Sequence, residues 1–192
     1  MKGIKKEQGN GYQNGEQGNG NGCKQSIRTE GQRMNIHYRP IGVIHTPFRK
    51  IEGMPIQPSG AARIRGTVDV YPEYAEGLKD LDGFSHIILL YHFHRVRSAE
   101  LTLVPFLDTE PRGLFATRAP KRPNPIGIST VRLLQIEGST LHVQRVDILD
   151  GTPLLDIKPY IPEFDRQPRF RLGWLEKAKG KVKKRKSDSR FK

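Results

Sequence analysis

Residues 128–148 read ISTVRLLQIEGSTLHVQRVDI. Two apolar-rich runs, Ile128–Ile136 and Leu141–Ile148, flank Glu137-Gly138-Ser139-Thr140. Two such runs around a short Gly/Ser turn predict a β-hairpin. Downstream, Thr152–Ile157 reads as a further strand that Lys158-Pro159 ends. Upstream, Ser85–Arg95 is a strongly apolar central strand, and Pro40–Thr46 is a short apolar one. Ala62–Val70 alternates, with Ile64, Gly66, Val68 and Val70 on one side. Gly113–Thr117 reads as another short strand. Only Glu73–Leu81, with Tyr74, Leu78 and Leu81 at helical spacing, suggests a helical turn or two. Many short strands, frequent Gly and Pro and so little helix predict an all-β barrel or sandwich. The chain has no Gly-rich strand-to-helix fingerprint of a dinucleotide fold.

A chain of 192 residues supports one domain with a sizeable core. The hydrophobic fraction is 35% because both ends are polar. Residues 7–22 read EQGNGYQNGEQGNGNG, a composition that cannot bury enough apolar surface to offset its chain entropy. Residues 1–34 are therefore expected to be a disordered Gly/Asn/Gln-rich leader, 35–170 the folded domain, and 171–192 a basic tail. The net charge of +13 is concentrated in that tail, where residues 175–192 hold nine Lys or Arg against Glu176 and Asp188, a local charge of +7. Such a tail suits a phosphate backbone. It shows no apolar pattern that would pack onto a barrel. Cys23 is the only cysteine, so an intrachain disulfide is excluded. No apolar run reaches the about 20 residues of a membrane span, and the leader lacks an apolar signal core. The expected location is cytoplasmic.

Three stretches carry candidate chemistry. Residues 114–129, LFATRAPKRPNPIGIS, hold Pro120, Pro123 and Pro125. Proline fixes φ and pushes the preceding residue towards extended geometry, so Arg118, Lys121 and Arg122 are set on a rigid segment. In Ser85–Arg95, strand alternation places His86, His92 and His94 on one face. That invites a metal reading, but no carboxylate sits at ligand spacing nearby, so no metal site is expected. Asp150-Gly151-Thr152-Pro153 has the chemistry of a tight turn whose polar side chains bond local amides.

Together these stretches resemble the TsaA-like (TrmO) family of tRNA methyltransferases. The similarity runs in order through Ile41–Phe48, Leu81–His86 with Phe93-His94, the proline segment, and Asp147–Tyr160. It implies a small β-barrel methyltransferase of the single-domain, archaeal-like form. It also implies S-adenosyl-L-methionine as cofactor and N-threonylcarbamoyladenosine next to the anticodon of tRNA as substrate. A homodimer is implied, with no membrane partner and no DNA specificity. By position, the implied cofactor contacts are Pro58, Ser59, Gly60, His94, Arg95, Arg118, Ile128, Asp150, Gly151, Thr152 and Pro153. Arg118 or Arg95 suits the cofactor's carboxylate. Candidate bases for the substrate nitrogen are His94, His86 and Asp156. Two alternatives compete: a non-catalytic RNA-binding β-barrel, and a metal-dependent enzyme built on His86, His92 and His94.

Overall fold

Glu137 pairs with Thr140 across a two-residue turn, and Gly138 takes φ 60°, a conformation that glycine adopts without a Cβ penalty. The hairpin expected from residues 128–148 is therefore present. Among the described residues eight strands form: β1 Gly42–His45, β2 Arg65–Val70, β3 His86–His92, β4 Thr102–Leu103, β5 Arg112–Gly113, β6 Ile126–Glu137, β7 Thr140–Gln144 and β8 Thr152–Pro159. Six of them close into an antiparallel barrel in the order β1-β2-β7-β6-β3-β8. Strands β4 and β5 make a small separate ribbon. The computed structural model describes residues 34–178, 186–188 and 191, and His37–Lys192 form one compact unit. The leader expected over residues 1–34 lies almost entirely outside the described residues.

Alternation sets the barrel interior. Along β3, Ile87, Leu89 and Tyr91 point inward and are buried, while His86, Ile88, Leu90 and His92 point outward. Ile44, Val68, Val131, Leu141, Val143 and Leu154 join them from the other five strands, all fully buried. Burial of such side chains contributes roughly 1.5–3 kcal/mol each, which makes this shared interior the main source of stability.

Four sequence expectations need correction. Strand β3 stops at His92 rather than Arg95: the Phe93 amide still donates to its in-register partner, the Pro125 carbonyl, at 2.7 Å, but proline has no N–H to return and the ladder ends there. Strand β7 stops at Gln144 rather than Ile148, because Arg145, whose amide still donates in register to the Ile64 carbonyl at 2.8 Å, adopts φ 72° and turns the chain out of extended geometry. Residues Leu114–Ala116, expected as strand, form a 3-10 turn, with the Thr117 hydroxyl donating to the Leu114 carbonyl at 2.8 Å. The fourth concerns the tail, where the described residues Ser187 and Phe191 pack. Phe191 is 6% exposed in a second cluster with Leu103, Leu114 and Ala119, edge-on to Phe106 at 4.8 Å. The Ser187 amide donates to the Met54 carbonyl at 2.8 Å, and the Gly53 amide returns a bond to Ser187 at 3.0 Å. One aromatic is too little to register as a pattern, but it suffices to fill a pocket.

Candidate functional site

Three barrel strands expose their ends in one place: the end of β3, the start of β6 and the start of β8. Loops rise from these ends, and a cavity of about 870 Å³ lies between them. Its floor holds Tyr91, Gly127, Asp147 and Thr152. Its walls come from the Ile51–Ser59 loop, Phe93–Val96, Pro105–Leu107 and Phe115–Pro120, with Trp174, Leu175, Ser187 and Phe191 of the C-terminal region. Trp174 is tied to the wall by its indole N–H, which donates to the Ala116 carbonyl at 2.8 Å.

The proline segment sorts its cations. Lys121 pairs with Glu100 at 2.6 Å. Arg122 donates to the Thr117 carbonyl at 3.1 Å and lies over the Phe115 ring at 5.7 Å. Arg118 lines the cavity and has no such partner among the described residues. The same segment explains its glycine. A Cβ on Gly127 would stand 2.2 Å from Cε2 of Tyr91, so the ring can lie on the strand only because the side chain is missing.

That ring anchors a buried polar chain. The Tyr91 hydroxyl is 3.1 Å from the Ser129 hydroxyl, which donates to Oδ1 of Asp147 at 2.7 Å. Burial pushes the Asp147 carboxyl up to about 6, against the opposing pull of the Ser129 bond and the Arg118 charge. Burial likewise raises the Tyr91 hydroxyl, which stays protonated. Asp147 was absent from the expected site residues. Its sequence signals are its place between two apolar residues, Val146 and Ile148, and at the head of the matching stretch Asp147–Tyr160.

His94 lies two residues beyond the end of β3, and its Nδ1 is 3.3 Å from the Thr152 hydroxyl. That hydroxyl donates its one proton to the Leu149 carbonyl at 2.6 Å. The Thr152 oxygen is thus an acceptor towards His94, which fixes the proton on Nδ1 and leaves the lone pair on Nε2. Burial, followed by the charges of Arg95 and His92, lowers the His94 pKa, so the ring is neutral at pH 7.

Of the expected site residues, the cavity gathers Pro58, Ser59, His94, Arg95, Arg118, Ile128 and Thr152. Gly60, Asp150, Gly151 and Pro153 do not line it. Asp150 instead clamps the end of β1, accepting the Thr46 amide at 3.0 Å and pairing with Arg49. Asp156 pairs with Lys158 at 2.8 Å on the outer face of β8, away from the cavity. His86 opens β3 at the opposite end of the strand from the cavity. The three histidines therefore do not converge: His86 and His92 stand at opposite ends of β3, about 20 Å apart, and His94 lies beyond the strand. Among the described residues, no group of three or more His, Cys, Asp or Glu is placed to hold a metal.

A closed barrel with a loop-walled cavity, two guanidiniums without a protein partner among the described residues, Arg118 and Arg95, and a neutral imidazole is a small-molecule site built for a ligand with apolar and anionic parts. The family model of the tRNA-methyltransferase O N-terminal domain matches residues 43–166, and the chain belongs to that family. A Pyrococcus abyssi protein named "Probable S-adenosyl-L-methionine-binding protein" is 58% identical over 156 residues, covering 81% of this chain and 85% of its own length. The tRNA (adenine(37)-N6)-methyltransferase of Homo sapiens is 36% identical over 68% of this chain, which spans 31% of that protein. The crystal structure of TrmO from Pseudomonas aeruginosa superimposes with a TM-score of 0.63 at 39% identity, covering 73% of this chain and 63% of that one. The small-barrel expectation is thus borne out.

Proposed function

We propose that the chain is an S-adenosyl-L-methionine-dependent tRNA methyltransferase whose acceptor is the N6 nitrogen of N-threonylcarbamoyladenosine next to the anticodon. The observation that carries this reading is the pairing, in one cavity, of Arg118 with a His94 whose Nε2 lone pair is free at neutral pH. The names of the human and Pyrococcus abyssi relatives support the tRNA and the cofactor respectively.

The residues present fit the cofactor. Arg118 offers a fork of donors to its carboxylate, and Arg95 stands beside it in the wall. Phe93, Phe106 and Trp174 offer apolar surface to its adenine and to the methylenes of its methionine arm. When bound, S-adenosylmethionine supplies an electrophilic methyl on a sulfonium. The chain's own task is then alignment and proton removal. His94 would accept at Nε2 the proton that the acceptor N–H loses on methylation, and would return it to solvent. Asp147, ionised above about pH 6, sits across the cavity floor and offsets positive charge there.

A homodimer and a cytoplasmic location belong to the same reading, and light scattering of the full chain tests the first. The substrate is tested by incubating the protein with tRNA and S-adenosylmethionine, then digesting the tRNA to nucleosides for mass spectrometry. The expected product is N-threonylcarbamoyladenosine carrying one added methyl. Methylation of another nucleoside would overturn the substrate. Cofactor binding with no methylated nucleoside at all would overturn the activity.

A further inference from the structure

Antiparallel registers place four residues in one line across the barrel: Arg65 on β2 pairs with Gln144 on β7, Gln144 with Arg132 on β6, and Arg132 with His86 on β3. Directly opposed residues point to the same side of a sheet. On β6 and β3 that side is the outer one, since Val131 and Ile87 beside them are buried inward. Adjacent strands lie about 4.8 Å apart, so the line is about 14 Å long. Tyr160 extends it, its amide bonded to the His86 carbonyl at 3.1 Å and its ring set edge-on to the imidazole at 6.4 Å.

Two observations mark the line as more than ordinary surface. Arg145, the next residue after Gln144, holds φ 72°, a region that non-glycine residues rarely adopt and that clusters at functional positions. Its charge and that of Arg132 both reach His86. The arginine ion pairs among the described residues belong to Arg49 and Arg112, so Arg65, Arg132 and Arg145 have no carboxylate partner there. The line is also continuous with the cavity. Ile128, which lines the cavity, and Arg132 lie on the same outer face of β6, four residues or about 13 Å apart.

We infer that Arg65, Arg132 and Arg145, with His86 and Tyr160, form a docking strip for the phosphate backbone of the tRNA whose modified base enters the cavity; this rests on the tRNA reading above. Guanidinium groups bind phosphate oxygens through paired N–H bonds. The His86 and Tyr160 rings offer a flat edge for a neighbouring unpaired base. The strip reads no sequence, and it fixes how far the backbone lies from the cavity mouth.

The test is tRNA binding by the full chain as a function of salt, with S-adenosylmethionine binding by calorimetry run in parallel as a fold control. The double variant Arg132→Ala with Arg145→Gly removes two cations and keeps the backbone at position 145 unstrained. Its tRNA affinity should fall about tenfold near physiological salt, and the slope of log affinity against log salt should become shallower by roughly 1.5 to 2. A charge-matched control, Lys79→Ala with Arg169→Ala, should leave the slope close to wild type. Arg132→Ala alone, expected to lose about half the slope change, serves if the double variant loses cofactor binding. An unchanged slope in a variant that still binds cofactor overturns the strip, as does an equal change in the control. A wild-type chain that binds cofactor but no tRNA overturns the tRNA reading, and the strip with it.

Discussion

The barrel interior and the cavity wall are built on different principles. The interior comes from six strands whose inward positions repeat every second residue, and each strand is fixed by hydrogen bonds on both sides. The wall comes from loops and from Trp174, Ser187 and Phe191, which reach it through one indole hydrogen bond, a knot of bonds between Ser187 and residues 51–54, and one small aromatic cluster. The first region is redundant and sets stability. The second is sparse and sets what binds. A change in either region should therefore move one property far more than the other.

The largest separation is expected inside the barrel. Leu89→Ala removes a fully buried side chain on β3 and should lower stability by about 2–5 kcal/mol. Cofactor affinity of the fraction that stays folded should change little, as read by calorimetry below its melting temperature. A second substitution moves stability the other way. Ionised Asp147 is destabilising in the fold, because burial raises its pKa from 3.8 to about 6. That cost is absent below about pH 4, grows as pH rises through 6, and is complete above it. Asp147→Asn should thus stabilise the protein by up to roughly 3 kcal/mol at pH 7.5 and by nearly nothing at pH 4. Denaturant midpoints at both values check this, and a pH-independent difference would contradict it. A gain in stability alongside a loss of methyl transfer would mark Asp147 as held for function.

The wall should show the reverse profile. Arg118→Ala should weaken S-adenosylmethionine binding by about 1.5–3 kcal/mol, the range for hydrogen bonds to charged groups. Its melting temperature should stay near wild type, since Arg118 has no protein partner to lose among the described residues. The smallest effect is expected at Phe191→Ala. It opens the wall beside Phe106 and should weaken cofactor binding several-fold while barely moving the melting temperature. No change in cofactor affinity would separate the C-terminal region from the site.

The same division explains what was legible in the sequence. Strand β3, the β6–β7 hairpin and β8 could be read because apolar alternation and a Gly/Ser turn are local signals. Their ends could not, because they depend on a distant partner, Pro125, that has no N–H to return to Phe93, and on the left-handed backbone at Arg145. His94 was placed on a strand face with His86 for that reason. Arg118 could be read from its rigid proline setting, whereas Asp147 is one of four polar residues in Leu141–Ile148 and nothing local sets it apart. The role of Phe191 depends on a pocket formed by Leu103 and Leu114, which no pattern within the tail could announce. Asp150 looked like a ligand contact within the family motif. The structure uses it to hold the β1 end through Thr46 and Arg49.

The central claim is that this cavity binds the methyl donor and that His94 takes the proton from the substrate nitrogen. Single-turnover methyl transfer from S-adenosylmethionine to tRNA by His94→Gln, compared with wild type at saturating cofactor and tRNA, tests it most directly. The account predicts transfer slower by about 100-fold or more, with cofactor affinity kept within a few-fold. Transfer at the wild-type rate in a variant that binds cofactor normally would contradict it.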